Sequence, residues 1–124
     1  MSHRIFVVDD HPVMVDAYMT VLGYEQDFET CGAATSGEEA IQMLTDIDCD
    51  LVLADYRMPG LNGAELVRQL RALRPDLKAI VVSAHEDAAF AREAMEAGAA
   101  AFLKKRDLMD MLVPTIRAVL AGQV

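Results

Sequence analysis

The sequence predicts a doubly wound α/β domain, and three observations predict it. Short apolar runs recur at the length of buried strands, residues 4–8, 51–54 and 78–83 foremost, each bounded by turn residues. Between them lie stretches whose apolar residues fall at helical spacing. Strand and helix alternate five times, which demands parallel pairing through right-handed crossovers and places helices on both faces of one sheet.

A chain of 124 residues suffices for one core and is too short for two. Its 53% hydrophobic and 25% charged residues are ordinary globular usage, and no apolar run reaches the length of a membrane span. Asp9, Asp10 and Asp16 interrupt the first apolar stretch, unlike a signal peptide, so a cytoplasmic protein is expected. A formal net charge of −9 repels phosphate backbones and argues against direct nucleic-acid binding by this segment. Cys31 and Cys49 have no CxxC spacing and no His cluster nearby, and read as reduced core thiols.

Taken in order, the first strand (4–8) stops at Asp9-Asp10-His11-Pro12, where proline suits the first position of a helix. In that helix Met14, Ala17, Tyr18, Val21 and Leu22 form a core stripe that ends at Gly23, leaving Val15 and Met19 on one exposed flank as docking candidates for a partner. A second strand is expected within 28–34, and Ser36 with Glu39 has capping-box spacing before a helix to about Thr45. The central strand ends at Asp55. After the Pro59-Gly60 turn, Leu66, Leu70 and Leu73 share a face of a helix over about 63–74, which Pro75 closes. A strand over 78–83, an alanine-rich helix over about 87–97 stopped by Gly98, a short strand over 101–104 and a helix over about 108–121 complete the chain. Pro114 inside the last helix predicts a kink or a late start.

The flavodoxin-like strand order 2-1-3-4-5 fits this alternation and gives a five-stranded, three-layer α/β/α sandwich with its site at the ends of the first and third strands. Asp9, Asp10 and Asp55 would then meet at one sheet edge. A hard divalent cation relieves their repulsion; Mg²⁺ takes such oxygen ligands, while the lack of clustered His or Cys argues against zinc. Ser83 ends the fourth strand and Lys105 follows the fifth at the same edge. Singly, each of these residues has an ordinary role as a cap, a turn or a surface charge. Jointly they suit phosphoryl transfer, in which a protein positions groups and offsets charge. Arg57 and His85 lie two residues beyond Asp55 and Ser83, so their side chains are expected over the pocket mouth, where they would control attacking water.

On these residues the chain resembles a response-regulator receiver domain over essentially its whole length. Asp9-Asp10 is similar to the family's acidic pair, Asp55 in D-Y-R-M-P-G to its phosphoacceptor, Ser83-Ala84 to its hydroxyl residue with a small follower, and Lys105, in register from Gly98, to its lysine. Phe102 stands where the family has its aromatic switch. The resemblance implies Mg²⁺ bound by Asp10, Asp55 and the Arg57 backbone carbonyl, with Asp9 helping through water. It further implies phosphoryl transfer to Asp55 from a sensor histidine kinase or histidine phosphotransfer protein. Ser83 and Phe102 would then switch the surface of the fourth helix, fifth strand and fifth helix. The opening D-D-H-P-V-M and the closing I-R-A-V-L-A-G-Q-V resemble the NarL/LuxR class, whose receivers precede a helix-turn-helix domain. Residues 1–124 then read as a receiver excised from a longer chain, reaching DNA only through that absent domain and open to homodimerisation on phosphorylation.

Three departures stand out. Arg106 replaces a proline common after the lysine, and without proline a cis peptide is costly. Ala101 replaces a frequent glycine, and Pro114 disturbs the last helix, so a reshaped output surface is expected. The expected function is a signalling module rather than an enzyme. An aspartyl-phosphate phosphatase would want a second aspartate two residues after Asp55, where Arg57 stands; a pseudo-receiver acting only by protein contacts would not need all five site residues.

Overall fold

The computed structural model describes residues 2–84 and 88–122. Five strands, β1 (His3–Val8), β2 (Phe28–Ala34), β3 (Leu51–Asp55), β4 (Lys78–Ser83) and β5 (Ala101–Lys104), form one parallel sheet in the order β2-β1-β3-β4-β5. This is the flavodoxin-like order, which reverses direction of winding between β1 and β3. The helices are α1 (Pro12–Gly23), α2 (Gly37–Leu44), α3 (Gly63–Leu73), α4 (Ala88–Ala97) and α5 (Leu108–Leu120), with a single 3₁₀ turn over Lys105–Asp107 before α5.

The period-2 alternation of the strands sorts the core into two layers. Ile5, Val7, Leu51, Leu53, Ile80 and Val82 pack with Tyr18 and Leu22 of α1 and Leu112, Ile116 and Val119 of α5. Phe6, Val8, Val52 and Ala54 point the other way, against Ala40 and Leu44 of α2 and Leu66 and Leu70 of α3. Ala79 and Val81 meet Val67 of α3 and Ala94 and Ala97 of α4. Every residue of β3 is buried, so the strand has no solvent face to set its pattern.

The α1 stripe differs from the expected one. Ala17 is exposed, whereas Val15 is half-buried and packs on the core beside Met14 and Val21. Helical spacing fits either flank of Tyr18, and a Val side chain gains more by leaving water than a single Ala methyl does. Met19 stays exposed, at 41%. Leu73, in the last turn of α3, is also exposed rather than on the buried face with Leu66 and Leu70.

Local chemistry sets the helix starts. Ser36 Oγ accepts the Glu39 N–H at 3.1 Å, but Glu39 Oε1 accepts the N–H of Thr35 at 2.8 Å rather than that of Ser36, so the expected box is displaced by one residue. A complete capping box starts α3 instead: Asn62 Oδ1 accepts the Glu65 N–H at 2.8 Å, and Glu65 Oε1 accepts the Asn62 N–H at 2.9 Å. The last helix begins at Leu108 and runs through Pro114 without a late start. Pro114 and Asp110 are both exposed, so water can satisfy the Asp110 carbonyl that proline leaves without its N–H partner. No peptide bond among the described residues is cis. Cys31 and Cys49 are free and half-buried, against the layer that holds α2 and α3.

Candidate functional site

The carboxyl ends of β1, β3 and β4 and the residue after β5 converge on a cavity of about 420 Å³ lined by Asp10, His11, Asp55, Arg57, Ala84 and Lys105, among others. Strand register brings them there. Val8 pairs with Ala54, so Asp9 and Asp55 each extend one residue beyond that pair, and Ser83 pairs with Lys104, which sets Lys105 one step past the edge. Asp9 is fully buried, and Asp55 and Ser83 nearly so, at 4% and 1%. Lysine 105 reaches in from the 3₁₀ turn: its Nζ lies 3.4 Å from Asp55 Oδ2 and 3.5 Å from Asp9 Oδ2. Of the adjacent pair Lys104 and Lys105, it is Lys105 that makes these contacts.

One ammonium between buried carboxylates does not balance them. Burial pushes the Asp55 carboxyl above the usual range, the negative Asp9 pushes it further, and Lys105 opposes both without winning. The same excess of negative charge is felt at Tyr18, whose hydroxyl is driven up first by burial and then by Asp9 and Asp55. An ionised Asp55 is thus a poorly hydrated carboxylate beside a cation, a state that favours attack on an electrophile carrying its own negative oxygens. Asp10 Oδ1 is buried and has no hydrogen-bond partner. Asp9, Asp10, His11 and Asp55 each offer a ligand atom, all within 4.8 Å of one another. An orphaned buried carboxylate oxygen inside an oxygen-rich donor set is what a hard divalent cation would satisfy.

The loop after β3 is shaped by glycine and proline. Gly60 takes φ +75°, a conformation costly for other residues. At Gly63 the Asp55 and Tyr56 backbone passes so close that an added Cβ would lie 2.7 Å from the Asp55 carbonyl oxygen. The Gly63 N–H donates to the Tyr56 carbonyl at 2.7 Å, closing the loop on itself and fixing Asp55 at its mouth.

Among the residues expected at the site, Asp9, Asp10, Asp55, Ser83 and Lys105 are brought to one edge. The Arg57 side chain is exposed, lines the cavity, and holds its guanidinium carbon 5.8 Å from the Phe90 ring centroid. His85 lies outside the described residues. Phe102 is half-buried against the layer containing α4. Two features had no clear signal in the chain. His11 joins the carboxylate cluster, although no second His stands near it in sequence to suggest a ligand set. Tyr56 stacks on Phe90, with ring centroids 4.3 Å apart, and donates its hydroxyl to Glu93 on α4, a pairing across 37 residues.

No helix among the described residues is long and apolar enough to cross a membrane. Among known proteins, the chain is 34% identical over 120 residues to the response regulator GacA of Pseudomonas aeruginosa, covering 97% of this chain and 56% of that one. It is 30% identical to the transcriptional regulatory protein DegU of Brevibacillus brevis, covering 96% and 50%. The chain therefore spans about half the length of these curated relatives. Its structure matches that of a LuxR-family two-component response regulator from Aurantimonas sp. SI85-9A1 with a TM-score of 0.94 at 30% identity, over 99% of this chain and 88% of that one. The family model for the response regulator receiver domain matches residues 5–117, nearly the whole sheet and every strand end that carries the cluster. Phosphorylation and Mg²⁺ are typical of that family, and the carboxylate cluster here could hold a metal ion. The chain belongs to the response-regulator receiver domains, with relatives in the LuxR/NarL class.

Proposed function

We propose that Asp55 of this receiver domain accepts a phosphoryl group from a phosphohistidine of a sensor kinase or phosphotransfer protein in the cytoplasm. The observation that carries the reading is the buried Asp55 carboxylate facing the cavity with Lys105 Nζ 3.4 Å away and the acidic pair beside it. An Asp55 oxygen attacks phosphorus, the phosphorus–nitrogen bond breaks with its electron pair passing to the imidazole, and an acyl phosphate remains on Asp55. Lys105, whose Nζ lies beside the Asp55 carboxylate, would then offset charge on the phosphoryl oxygens. Asp10, Asp55 and the Arg57 backbone carbonyl would hold Mg²⁺, with Asp9 acting through water. When bound, the ion supplies charge neutralisation and orientation of the phosphoryl oxygens.

Ser83 lies buried at the strand end beside the cavity, and Phe102 sits half-buried on the neighbouring strand toward α4. Ser83 moving to a phosphoryl oxygen would open space for Phe102 to turn, altering the surface formed by α4, β5 and α5. Control of transcription, with homodimerisation on phosphorylation, would then depend on a DNA-binding domain carried by a longer natural chain. Met19 is the solvent-facing member of the pair expected to dock the kinase, while Val15 also packs on the core. Met19→Ser should slow transfer from phosphorylated kinase but spare acetyl phosphate; equal slowing with both donors removes it from docking.

Intact-mass measurement after incubation with acetyl phosphate and Mg²⁺ tests the central reading. Wild type should gain one phosphoryl increment and Asp55→Asn none. An increment that persists in Asp55→Asn puts the acceptor elsewhere, and none in wild type removes the function.

A further inference from the structure

His11 is the residue just before α1, with extended backbone (φ −106°, ψ 108°) and no side-chain capping hydrogen bond. Its ring turns instead to the carboxylates: Nδ1 is 3.0 Å from Asp9 Oδ1 and 3.2 Å from Asp10 Oδ1. Asp9 Oδ1 already accepts the His11 backbone N–H at 2.9 Å, and Asp10 Oδ1 is the buried oxygen without a hydrogen bond. A ring nitrogen carries at most one proton, so Nδ1 could serve both acids only by sharing it, and Asp10 Oδ1 is left without a hydrogen bond. A cation held by Nδ1 and Asp10 Oδ1, with Asp9 acting through water, would satisfy the ring nitrogen and the orphaned oxygen together. Adjacent donors on an octahedral ion with bonds of about 2.1 Å lie about 3.0 Å apart, close to the 3.2 Å from Nδ1 to Asp10 Oδ1. The position is held by the backbone, because Pro12 starts α1 immediately after His11.

We infer that His11 is a selectivity-determining donor of the cation site, one that tilts it from Mg²⁺ toward later first-row divalent ions. The inference rests on the proposed cation binding by the carboxylate cluster. Mg²⁺ is hard and prefers oxygen and water, so an imidazole adds little to its affinity. Co²⁺ and Ni²⁺ gain much more from a ring nitrogen, and the gain follows their order of intrinsic affinity. The His11 side chain is 63% exposed, so packing does not prevent its ring from adjusting to an ion.

The test is calorimetric titration of the whole chain with Mg²⁺, Co²⁺ and Ni²⁺ separately, for wild type, His11→Ala, His11→Asn and Asp10→Ala, with the visible spectrum of the Co²⁺ form recorded. The expected result is that both His11 variants lose about tenfold or more in the ratio of Ni²⁺ to Mg²⁺ affinity, with Mg²⁺ affinity little changed. The Co²⁺ spectrum should change with loss of the nitrogen donor. An unchanged ratio and spectrum in the His11 variants, with Mg²⁺ binding still lost in Asp10→Ala, would overturn the role of His11 and leave the carboxylate site standing. No Mg²⁺ binding by wild type would overturn the cation site itself and the inference with it.

Discussion

The Tyr56 hydroxyl donates to Glu93 Oε2 at 3.1 Å, which ties the residue after Asp55 directly to α4. Glu93 Oε1 accepts from Asn62 Nδ2 at 3.2 Å, so the same carboxylate also holds the start of α3. The Tyr56 ring lies on Phe90 at an interplanar angle of 22°. Burial, then the hydrogen bond to Glu93, raises the Tyr56 hydroxyl pKa, so the phenol remains a donor at neutral pH. Tyr56→Phe keeps the stacked ring and removes only this bond. It should cost about 1 kcal/mol of stability and raise amide exchange in α4 more than in α2. Equal exchange in both helices would show that the hydroxyl does not restrain α4.

Gly63 is where the loop bearing Asp55 can least accept a side chain. Its missing Cβ would meet backbone at 2.7 Å and 2.9 Å, atoms that cannot move aside as a flexible side chain could. Gly63→Ala should therefore destabilise by roughly 1–3 kcal/mol, and the surviving fold should label with acetyl phosphate more slowly than wild type. Denaturant unfolding and a labelling time course check the two halves separately. Wild-type stability would refute the steric reading.

Asp55 also makes stability depend on pH. Its folded pKa is raised above the ordinary value of 3.8, mainly by burial and then by Asp9, so the folded chain binds this proton more tightly than the unfolded chain. The resulting stability is fully present below 3.8 and is lost as pH rises through the raised value. In chelator, Asp55→Asn should be more stable than wild type at neutral pH, because a neutral amide replaces a strained carboxylate. The advantage should shrink as pH falls toward 3.8. Melting curves of both proteins across that range decide it; a difference that does not vary with pH would mean that Asp55 does not report the charge excess.

Much of this was readable in advance because buried strands leave unambiguous runs. β4 and β5 begin and end where their apolar and turn residues predict, β2 fills the stretch within which it is expected, and the flavodoxin-like order that fits the alternation with helices is the one found. Asp9, Asp10, Asp55, Ser83 and Lys105 could be placed together because each follows or ends a strand, where register alone fixes position. The reading fails where side-chain size or distant partners decide. Val15 and Ala17 flank the same buried Tyr18, and spacing cannot choose between them. The Asn62 cap is local and has capping-box spacing with Glu65 in the chain itself, whereas the Glu93 contacts and the Arg74 guanidinium, which donates to the Leu44 and Ile47 carbonyls, depend on the folded arrangement of separate elements.

The lifetime of a phosphorylated Asp55 should depend on Arg57. Its guanidinium carbon sits 5.8 Å from the Phe90 ring centroid, and its side chain lines the cavity that a phosphoryl group would enter. The contact gives an exposed, flexible side chain a preferred place at the mouth, since a guanidinium is attracted to an aromatic face. From there it can pair with phosphoryl oxygens and obstruct the in-line path of water. Arg57→Ala should speed loss of phosphate several-fold, of the order expected for one modest contact worth about 1 kcal/mol. Phe90→Leu should produce part of that effect by releasing the arginine, although it also unstacks Tyr56. Combining the two therefore separates the routes: if Phe90 acts through Arg57, the double variant should decay no faster than Arg57→Ala alone. Decay can be followed by intact mass after acetyl phosphate is removed, at fixed Mg²⁺. Arg57→Ala decaying at the wild-type rate would remove the gate, and additive acceleration in the double variant would assign Phe90 a separate influence through Tyr56.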